Sequence, residues 1–368
     1  MHMLNAVEGA EAVQARKAHH LELALSPGSQ SARDPGWDDV HLVPAALPER
    51  SLDEVDLATD LLGHRLAAPL VLAPMTGGCA EASRINAVLG EAAERLGLAV
   101  GVGSQRAALI EPALASTFAA VRRHGPSAPV LANIGICQLV DQRGARVLGR
   151  DDIHRIVEMV RADVLSVHLN VVQELLQPEG DRNTTRLADA IAAVVEWAPV
   201  PVLVKETGAG MTRESATLLV AAGVAGLDVG GAGGTSFARI EGARAAFAGD
   251  QRRAELGRVV ADWGLPTAAS VLEVRGLGVP VVATGGVRSG VDAAKALALG
   301  ATAVGVGRIA IEEAVHGVES LVERLERVLE ELRVVMLLAG TRTPEQLRDR
   351  APVLTGFTLE WARQRGLR

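Results

Sequence analysis

Eight short apolar runs, each followed by a longer segment with apolar residues at helical spacing, occupy residues 69–308. The runs are PLVLAPM (69–75), LAVGVG (98–103), PVLANIG (129–135), VLSVHLN (164–170), PVLVKE (201–206), GLDVGG (226–231), PVVATGG (280–286) and AVGVGR (303–308). Runs of this length and character read as strands buried on both faces. Segments such as ASRINAVLGEAAERLG and GVDAAKALALG read as the helices between them. Eight such units over about 240 residues have the size and order of a (β/α)8 TIM barrel, an α/β fold. An open doubly wound sheet is the alternative, since strand order is not written in a sequence. The count of units and the chemistry at the strand ends favour the barrel.

The barrel is assigned to residues 69–340 of the 368. Residues 1–68 form an N-terminal extension with Pro/Gly-rich stretches such as SPGSQSARDPGW, and residues 341–368 a tail or helix packed on the barrel. The interval 237–279 is expected to be a long loop over the barrel mouth, a common place for function. The mixed-charge segment 317–340 reads as the last barrel helix. Aromatic residues make up 2% with no Tyr, net charge is −7, and there is no long Lys/Arg run. This argues against stacked-base recognition, nucleic acid and anionic membranes as partners. No apolar stretch approaches about 20 residues, and the N-terminus lacks the basic-then-apolar pattern of a signal peptide, so a cytoplasmic location is expected. Cys79 and Cys137 have neither metal-ligand nor redox spacing and read as packing residues.

Every strand run ends in small or polar residues, where a barrel keeps its active site. The ends carry Met75-Thr76-Gly77-Gly78, Gly103-Ser104-Gln105-Arg106, Asn133 with Gln138, Lys205-Glu206, GGAGGTS (230–236), Gly285-Gly286-Val287-Arg288 and Gly307-Arg308. Glycine lets backbone N–H groups approach an anion, and a following helix N-terminus adds a favourable dipole. Three glycine-rich ends in succession, with Thr235 and Ser236 as hydroxyl donors, point to a phosphate-bearing cofactor. One Gly pair alone would be ordinary turn chemistry. No GxxxxGK[ST] occurs, so a P-loop is not supported. Lys205, inside an apolar strand, is either snorkelling at the rim or neutralising an anion on the cofactor; the second reading is favoured. Arg16, Lys17 and His20 make a cationic cluster whose plain reading is a solvated helix face. The fourth run leads into HLNVVQELLQPEGDR, which sets His168, Asn170, Gln173 and Glu174 within seven residues. That combination at a strand end calls for something polar, charged or metallic to meet it.

Together these segments resemble the type 2 isopentenyl diphosphate isomerases, which are flavin-dependent. The resemblance rests on ARKAHHLELAL, MTGG, VGSQRAAL, NIGICQL, HLNVVQELLQPEGDR, VKETGAGM, DVGGAGGTSF, ADWGLPT and ATGGVRSGVDAAKALALGA, in order along nearly the whole chain. The last is shared with other flavin barrels such as 2-hydroxy acid oxidases, whereas the RK–H cluster, VGSQR and QEL-QPEGDR are specific. The resemblance implies an FMN-bound barrel that interconverts isopentenyl and dimethylallyl diphosphate, with FMN reduced by NADPH or NADH, and Mg²⁺. It implies FMN contacts from Pro74, Met75, Thr76, Ser104, Asn133, Lys205 and Thr235, and phosphate contacts from Gly285, Gly286, Val287, Arg288, Gly307 and Arg308. The substrate would meet Arg16, Lys17, His20, Arg106, His168, Asn170 and Gln173. Gln173 would assist at the alkene while the flavin is the main acid–base group, and Glu174 would bind the metal. A homotetramer or homo-octamer is also implied. Pro74 stands where the family usually has Ala. Ile136 departs from its NxGAxQ pattern and would fall beside the flavin. The competing readings are an FMN-dependent oxidoreductase of the 2-hydroxy acid oxidase type and a non-enzymatic FMN-binding barrel.

Overall fold

The computed structural model describes residues 10–142, 146–178 and 180–367. Eight parallel strands run β1 (Leu70–Leu72), β2 (Ala99–Gly101), β3 (Val130–Gly135), β4 (Val164–Leu169), β5 (Val202–Glu206), β6 (Gly226–Asp228), β7 (Val281–Thr284) and β8 (Ala303–Val306). Each pairs with its sequence neighbours and β8 pairs back with β1, closing the barrel and excluding the open sheet.

Period-two alternation divides the barrel interior into layers. Near the amino-terminal ends, Val71, Ala99, Leu131, Val164, Leu203, Val282 and Ala303 form one apolar cluster. The inward residues farther along the strands are Asn133, Ser166, His168, Lys205, Asp228 and Thr284. Gly135, His168, Lys205 and Asp228 are successive partners across four strands and so share one level. The apolar end is plugged from the N-terminal extension by a hairpin, Thr59–Leu61 with His64–Leu66, whose Leu61 and Leu66 join the same cluster. Its two-residue turn places both Leu62 (φ 53°) and Gly63 (φ 87°) in the left-handed region, as a tight hairpin requires. Leu62, costly in that conformation, packs against the cluster.

One sequence expectation changes. The interval 237–279 is helical rather than a long loop: Phe237–Phe247, Gln251–Val259 and Thr267–Val274. Ser236 and Asp250 cap the first two by accepting from the backbone N–H of Arg239 and Arg253. The segment 317–340 is not the first helix after β8. Arg308–His316 comes first, and Gly317 (φ 114°) breaks the chain before Val318–Leu338. Helix Ala10–Leu25 contributes Lys17, His20, Leu21 and Ala24 to the wall of the cavity at the carboxyl ends of the strands. Residues 29–31 clip onto the loop after β6 through Ser31 N–H to Gly234 O and Ser236 N–H to Ser29 O, each 2.8 Å. At the far end Val40–His41 pairs with Val353–Leu354. The C-terminal helix Gly356–Gln364 is tied down where Trp361 Nε1 and Arg365 Nε both donate to buried Glu273 at 2.8 Å.

The outer helices pack closely enough to depend on single hydrogens. Gly90, in helix Ala80–Leu96, lies against helix Ala115–His124, and a Cβ there would sit 2.2 Å from Val121 O. Backbone cannot yield as a flexible side chain can. Gly90→Ala is therefore expected to destabilise the fold by about 1–3 kcal/mol, despite the better helix propensity of Ala. A lowered denaturation midpoint at unchanged m-value checks this; an unchanged or raised midpoint would show that the helices separate freely.

Candidate active site

The carboxyl ends of the strands open into one cavity of about 1990 Å³. A cavity for a single small ligand is usually about 300–1,000 Å³, so this one has room for two ligands. The residues assigned to FMN, substrate or metal from the sequence line it except Arg16, whose side chain lies outside the described residues, whereas Ser236 and Gln105 do not line it.

The strand-four segment folds as anticipated from its polarity. β4 delivers His168, Asn170 follows it, and helix Val171–Leu176 carries Gln173 and Glu174. Asn133 Nδ2 donates to Val102 O at 3.1 Å, which turns its Oδ1 toward His168 Nδ1 at 2.9 Å. That oxygen can only accept, so Nδ1 carries the proton. Burial, with Lys205 and Lys17 adding to it, pushes the imidazole down to about 3, leaving it neutral with Nε2 unprotonated. Gly135 is required here, because a Cβ would lie 2.4 Å from Gln138 Oε1 and 3.0 Å from His168 Nε2. Glu174 is buried and accepts from Asn170 Nδ2 (2.8 Å) and from Asp181 N–H (2.9 Å). Burial raises its pKa and the charge of Asp181 adds to this, against those donors. Asn170 Oδ1 is buried with no hydrogen-bond partner among the described residues, next to this carboxylate.

Lys205 is buried; its Nζ donates to Glu206 O at 2.8 Å, and it stands beside Asp228. Burial raises the Asp228 pKa and Lys205 opposes the rise. Glu206 folds back on its own loop and accepts from the N–H groups of Thr207, Gly208 and Ala209. Burial nevertheless lifts it to about 7. On the glycine-rich side, Gly234 and Gly286 approach so closely that a Cβ on Gly234 would lie 2.8 Å from Gly286 N. Gly285 (φ 126°) and Gly286 (φ 65°) bend the chain there ahead of Val287 and Arg288. The nine-residue helix Arg308–His316 begins at the cavity, with Gly307, Arg308 and Ile309 in its wall.

Several side chains are oriented otherwise than their nominated roles suggest. The Arg308 guanidinium is turned away from the glycine loops and holds the carbonyls of Ala24, Leu25 and Ser26. Thr76 Oγ1 donates to Asn86 Oδ1, and the Asn133 amide is taken up by Val102 and His168, so neither is directed at a ligand. Thr235 Oγ1 accepts from Gln30 Nε2 at 3.4 Å, and Ser104 O accepts from Lys17 Nζ at 3.4 Å. Arg288 Nη2 donates to Gly233 O at 2.9 Å. Met75 lies over Gly307, whose Cβ would meet Met75 Sδ at 2.8 Å. Pro74 is accommodated because residue 101 is Gly; a Cβ there would stand 2.3 Å from the proline ring. Ile136 is fully buried in the core and does not line the cavity, correcting the expectation that it falls beside the flavin.

Other functional candidates emerge only from the folded chain. Gln138 Nε2 lies 3.5 Å from Glu174 Oε1 and 3.4 Å from Asp181 Oδ2, bridging two carboxylates. Asp181 also pairs with Arg106 at 3.3 Å. Glu241, on helix Phe237–Phe247, accepts from Gln173 Nε2 at 3.0 Å, pairs with Arg244, and has His20 Nε2 2.8 Å away in an arrangement not aligned as a hydrogen bond. Burial opposes ionisation of Glu241, but His20, Arg244 and Gln173 outweigh it and hold its pKa low. Asp181 belongs to QPEGDR and was within reach of sequence reading; Glu241 had no local signal. Cys137 is pushed up to about 12 by burial and the nearby Glu174 and Asp181, which removes it as a nucleophile.

The FMN-dependent dehydrogenase family pattern matches residues 27–124 and 165–353. The chain is 44% identical over 352 residues to the isopentenyl-diphosphate delta-isomerase of Methanosarcina barkeri, covering 95% of this chain and 94% of that one. It is 46% identical to the protein of that name from Methanococcoides burtonii, with 95% of each covered. For that of Symbiobacterium thermophilum the figures are 44% and 96% of each. Among solved structures the fold resembles a lactate oxidase of Pediococcus acidilactici, with TM-score 0.64 at 16% identity over 97% of each chain. It also resembles a mandelate oxidase, with TM-score 0.61 at 20% identity over 95% of this chain and 99% of that one.

The state of His168 gives a direct test. Its pKa in the folded protein, about 3, lies below the ordinary 6.5, so the unfolded chain binds this proton more readily. The histidine therefore lowers stability as the pH falls from 6.5 toward 3, and has no such effect above that window. Imidazole NMR on flavin-free protein should show His168 neutral down to about pH 4, with a rise in pKa in Lys205→Met. Protonation near pH 6.5 in the parent would refute the electrostatic picture.

Proposed function

The chain belongs to the FMN-dependent dehydrogenase family and, within it, to the isopentenyl-diphosphate delta-isomerases, and on that premise we propose that it interconverts isopentenyl and dimethylallyl diphosphate using reduced FMN, NADPH or NADH as reductant, and Mg²⁺. The observation that carries the reading is the polarity of the two-ligand cavity. A buried ammonium, Lys205, lies at its floor, while Lys17, Arg106 and the Asn170–Glu174 pair line the wall.

The residues present fit both cofactors. The cavity has the required room, and the start of helix Arg308–His316 together with the close Gly234–Gly286 approach brings backbone N–H groups to one place. Pro74, Met75, Thr76, Ser104, Asn133, Lys205 and Thr235 would surround the flavin. The backbone of Gly285–Arg288 and Gly307–Arg308 would receive its phosphate. When bound, reduced FMN supplies an electron-rich, proton-bearing partner for the alkene, which gives a flavin a use in a reaction with no net oxidation. For Mg²⁺, the unpartnered Asn170 Oδ1 beside Glu174 is a set of hard oxygen donors. Among the described residues no three His, Cys, Asp or Glu side chains converge on a metal position. This suits an ion that keeps waters and phosphate oxygens for most of its shell.

The protein's own groups then hold and orient. Lys17, Arg106 and, from its place in the sequence, Arg16 attract the diphosphate. Gln173, restrained by Glu241, is kept facing the alkene end. The fixed charge of Lys205 favours an anionic partner at the floor. As it stands, His168 Nε2 has no proton to give a diphosphate, but an anion beside it would raise its pKa and supply one. A 2-hydroxy acid oxidase would need a His base with arginines gripping a carboxylate, and GGTSFARIEGARA after β6 contains no His. The isomerase reading includes a cytoplasmic homotetramer or homo-octamer. Exposed Phe247, Val259 and Trp263 support self-association. Among the described residues no helix is long and apolar enough to cross a membrane.

Purified protein should interconvert the two diphosphates only with reduced FMN and Mg²⁺. Turnover with oxidised FMN, or none with reduced FMN, would overturn the reading. Inorganic pyrophosphate should raise the His168 pKa; no movement at saturation would remove that residue from the diphosphate site. Glu174→Gln should weaken Mn²⁺ binding in the presence of pyrophosphate, read by electron paramagnetic resonance, by at least about tenfold. Unchanged Mn²⁺ affinity would take the metal away from Glu174.

A further inference from the structure

We propose that the Arg308 side chain is a positioning residue for the substrate side of the cavity, fastening helix Ala10–Leu25 in place, and is not itself a phosphate ligand. All three of its nitrogens are engaged elsewhere. Nη1 donates to Ala24 O (3.2 Å), Ser26 O (3.0 Å) and Ser29 Oγ (3.2 Å), Nη2 donates to Leu25 O (2.8 Å), and Nε donates to Glu312 Oε1 (2.5 Å). The last carbonyls of a helix lack intrahelical partners and carry the negative end of its dipole. Helix Ala10–Leu25 has no basic residue in its own last turn, so the cation comes from a residue 283 positions away on the Leu25 contact. A planar fork with five N–H groups can hold several such carbonyls at once, which an ammonium cannot do in the same geometry.

The placement links two halves of the site. The helix so fastened carries Lys17 and His20 into the cavity wall, while Arg308 starts the helix whose backbone faces the same cavity. A helix of this length is marginal by itself in water, so its position depends on tertiary ties. Other ties include Lys17 to Ser104 O, the His20–Glu241 contact and His19 against Phe247, all ahead of the last turn, with Leu21 and Leu25 packed on the core. Losing the arginine frees the end of the helix and spreads the positions of the cationic groups ahead of it. This inference rests on the reading that those groups meet a diphosphate.

The test uses FMN-loaded Arg308→Gln, with Ser29→Ala as a milder variant that removes one acceptor of Arg308 together with the hydroxyl's own bonds to Ala24 O and Ser26 O. Three quantities are measured: backbone hydrogen exchange over residues 10–25, FMN dissociation from the holoenzyme, and inorganic pyrophosphate affinity by calorimetry. Arg308→Gln should speed exchange across the helix and weaken pyrophosphate about tenfold, with FMN affinity held within about twofold. Ser29→Ala should shift the first two in the same direction by less. Loss of FMN affinity with unchanged exchange would make Arg308 a phosphate ligand and overturn the proposal. Faster exchange with unchanged pyrophosphate affinity would overturn the positioning role. The exchange and flavin measurements need no isomerase activity, so a failure of the isomerase reading would show separately.

Discussion

The closed parallel register is the constraint on which the rest of this molecule depends. Because successive strands are locked in step, the inward residues of β3 to β6 fall at a common height as Gly135, His168, Lys205 and Asp228. Nearer the amino-terminal ends of the strands, the inward positions of the barrel are aliphatic. A shift of one residue in any strand would send its polar group outward among the helices and an apolar one into the cavity. The register therefore sets chemistry as well as shape. It places an ammonium, an imidazole and a carboxylate where water is scarce, and the ammonium bears on the protonation of the other two. Burial keeps His168 neutral, helped by the same lysine that favours ionisation of Asp228. The protein carries a net charge of −7, yet this lysine, Lys17 and Arg106 give the cavity wall its cations. Local placement rather than overall charge decides what the site attracts.

The carboxylates have a complementary arrangement. Glu174 and Asp181 stand on the same polar rim, joined through the Gln138 amide, with Arg106 against the outer one. Burial makes Glu174 harder to ionise, and the charge of Asp181 adds to this. Amide and guanidinium donors offset part of that cost, and a divalent cation would offset more. Glu206 offsets part of the same cost by curling onto three backbone N–H groups, although burial still lifts it to about 7.

Much of this was legible because it is local. Each strand is a run of apolar residues, each run ends in the residues that line the cavity, and HLNVVQELLQPEGDR sits on one strand end and the helix after it. What escaped is pairing between distant positions. Nothing near Glu241 announces that it would restrain Gln173 from 68 residues away. Nothing in Gly307-Arg308 distinguishes a phosphate-binding arginine from one that fastens a helix near the opposite end of the chain. Thr76 and Asn133 were recognised as lining residues, but whether a hydroxyl or amide faces ligand or neighbour is decided by packing; Asn86 and Val102 made that choice. The interval 237–279 was misread because its helices are short and weakly patterned, and their caps, Ser236 and Asp250, were the overlooked signal.

The hairpin that plugs the amino-terminal end has a kinetic meaning. With Leu61, Leu62 and Leu66 packed under the strands, the barrel is a well with a closed base, and the cavity that Lys205 lines lies at the other end, with helix Ala10–Leu25 in its wall. In a well, occupants stack. The deeper one enters first and leaves last, so a molecule seated against Lys205 becomes a long-term resident beneath a shallower one that comes and goes. Two molecules sharing this cavity would exchange in order, because the hairpin and the aliphatic layer above it close the opposite end of the barrel.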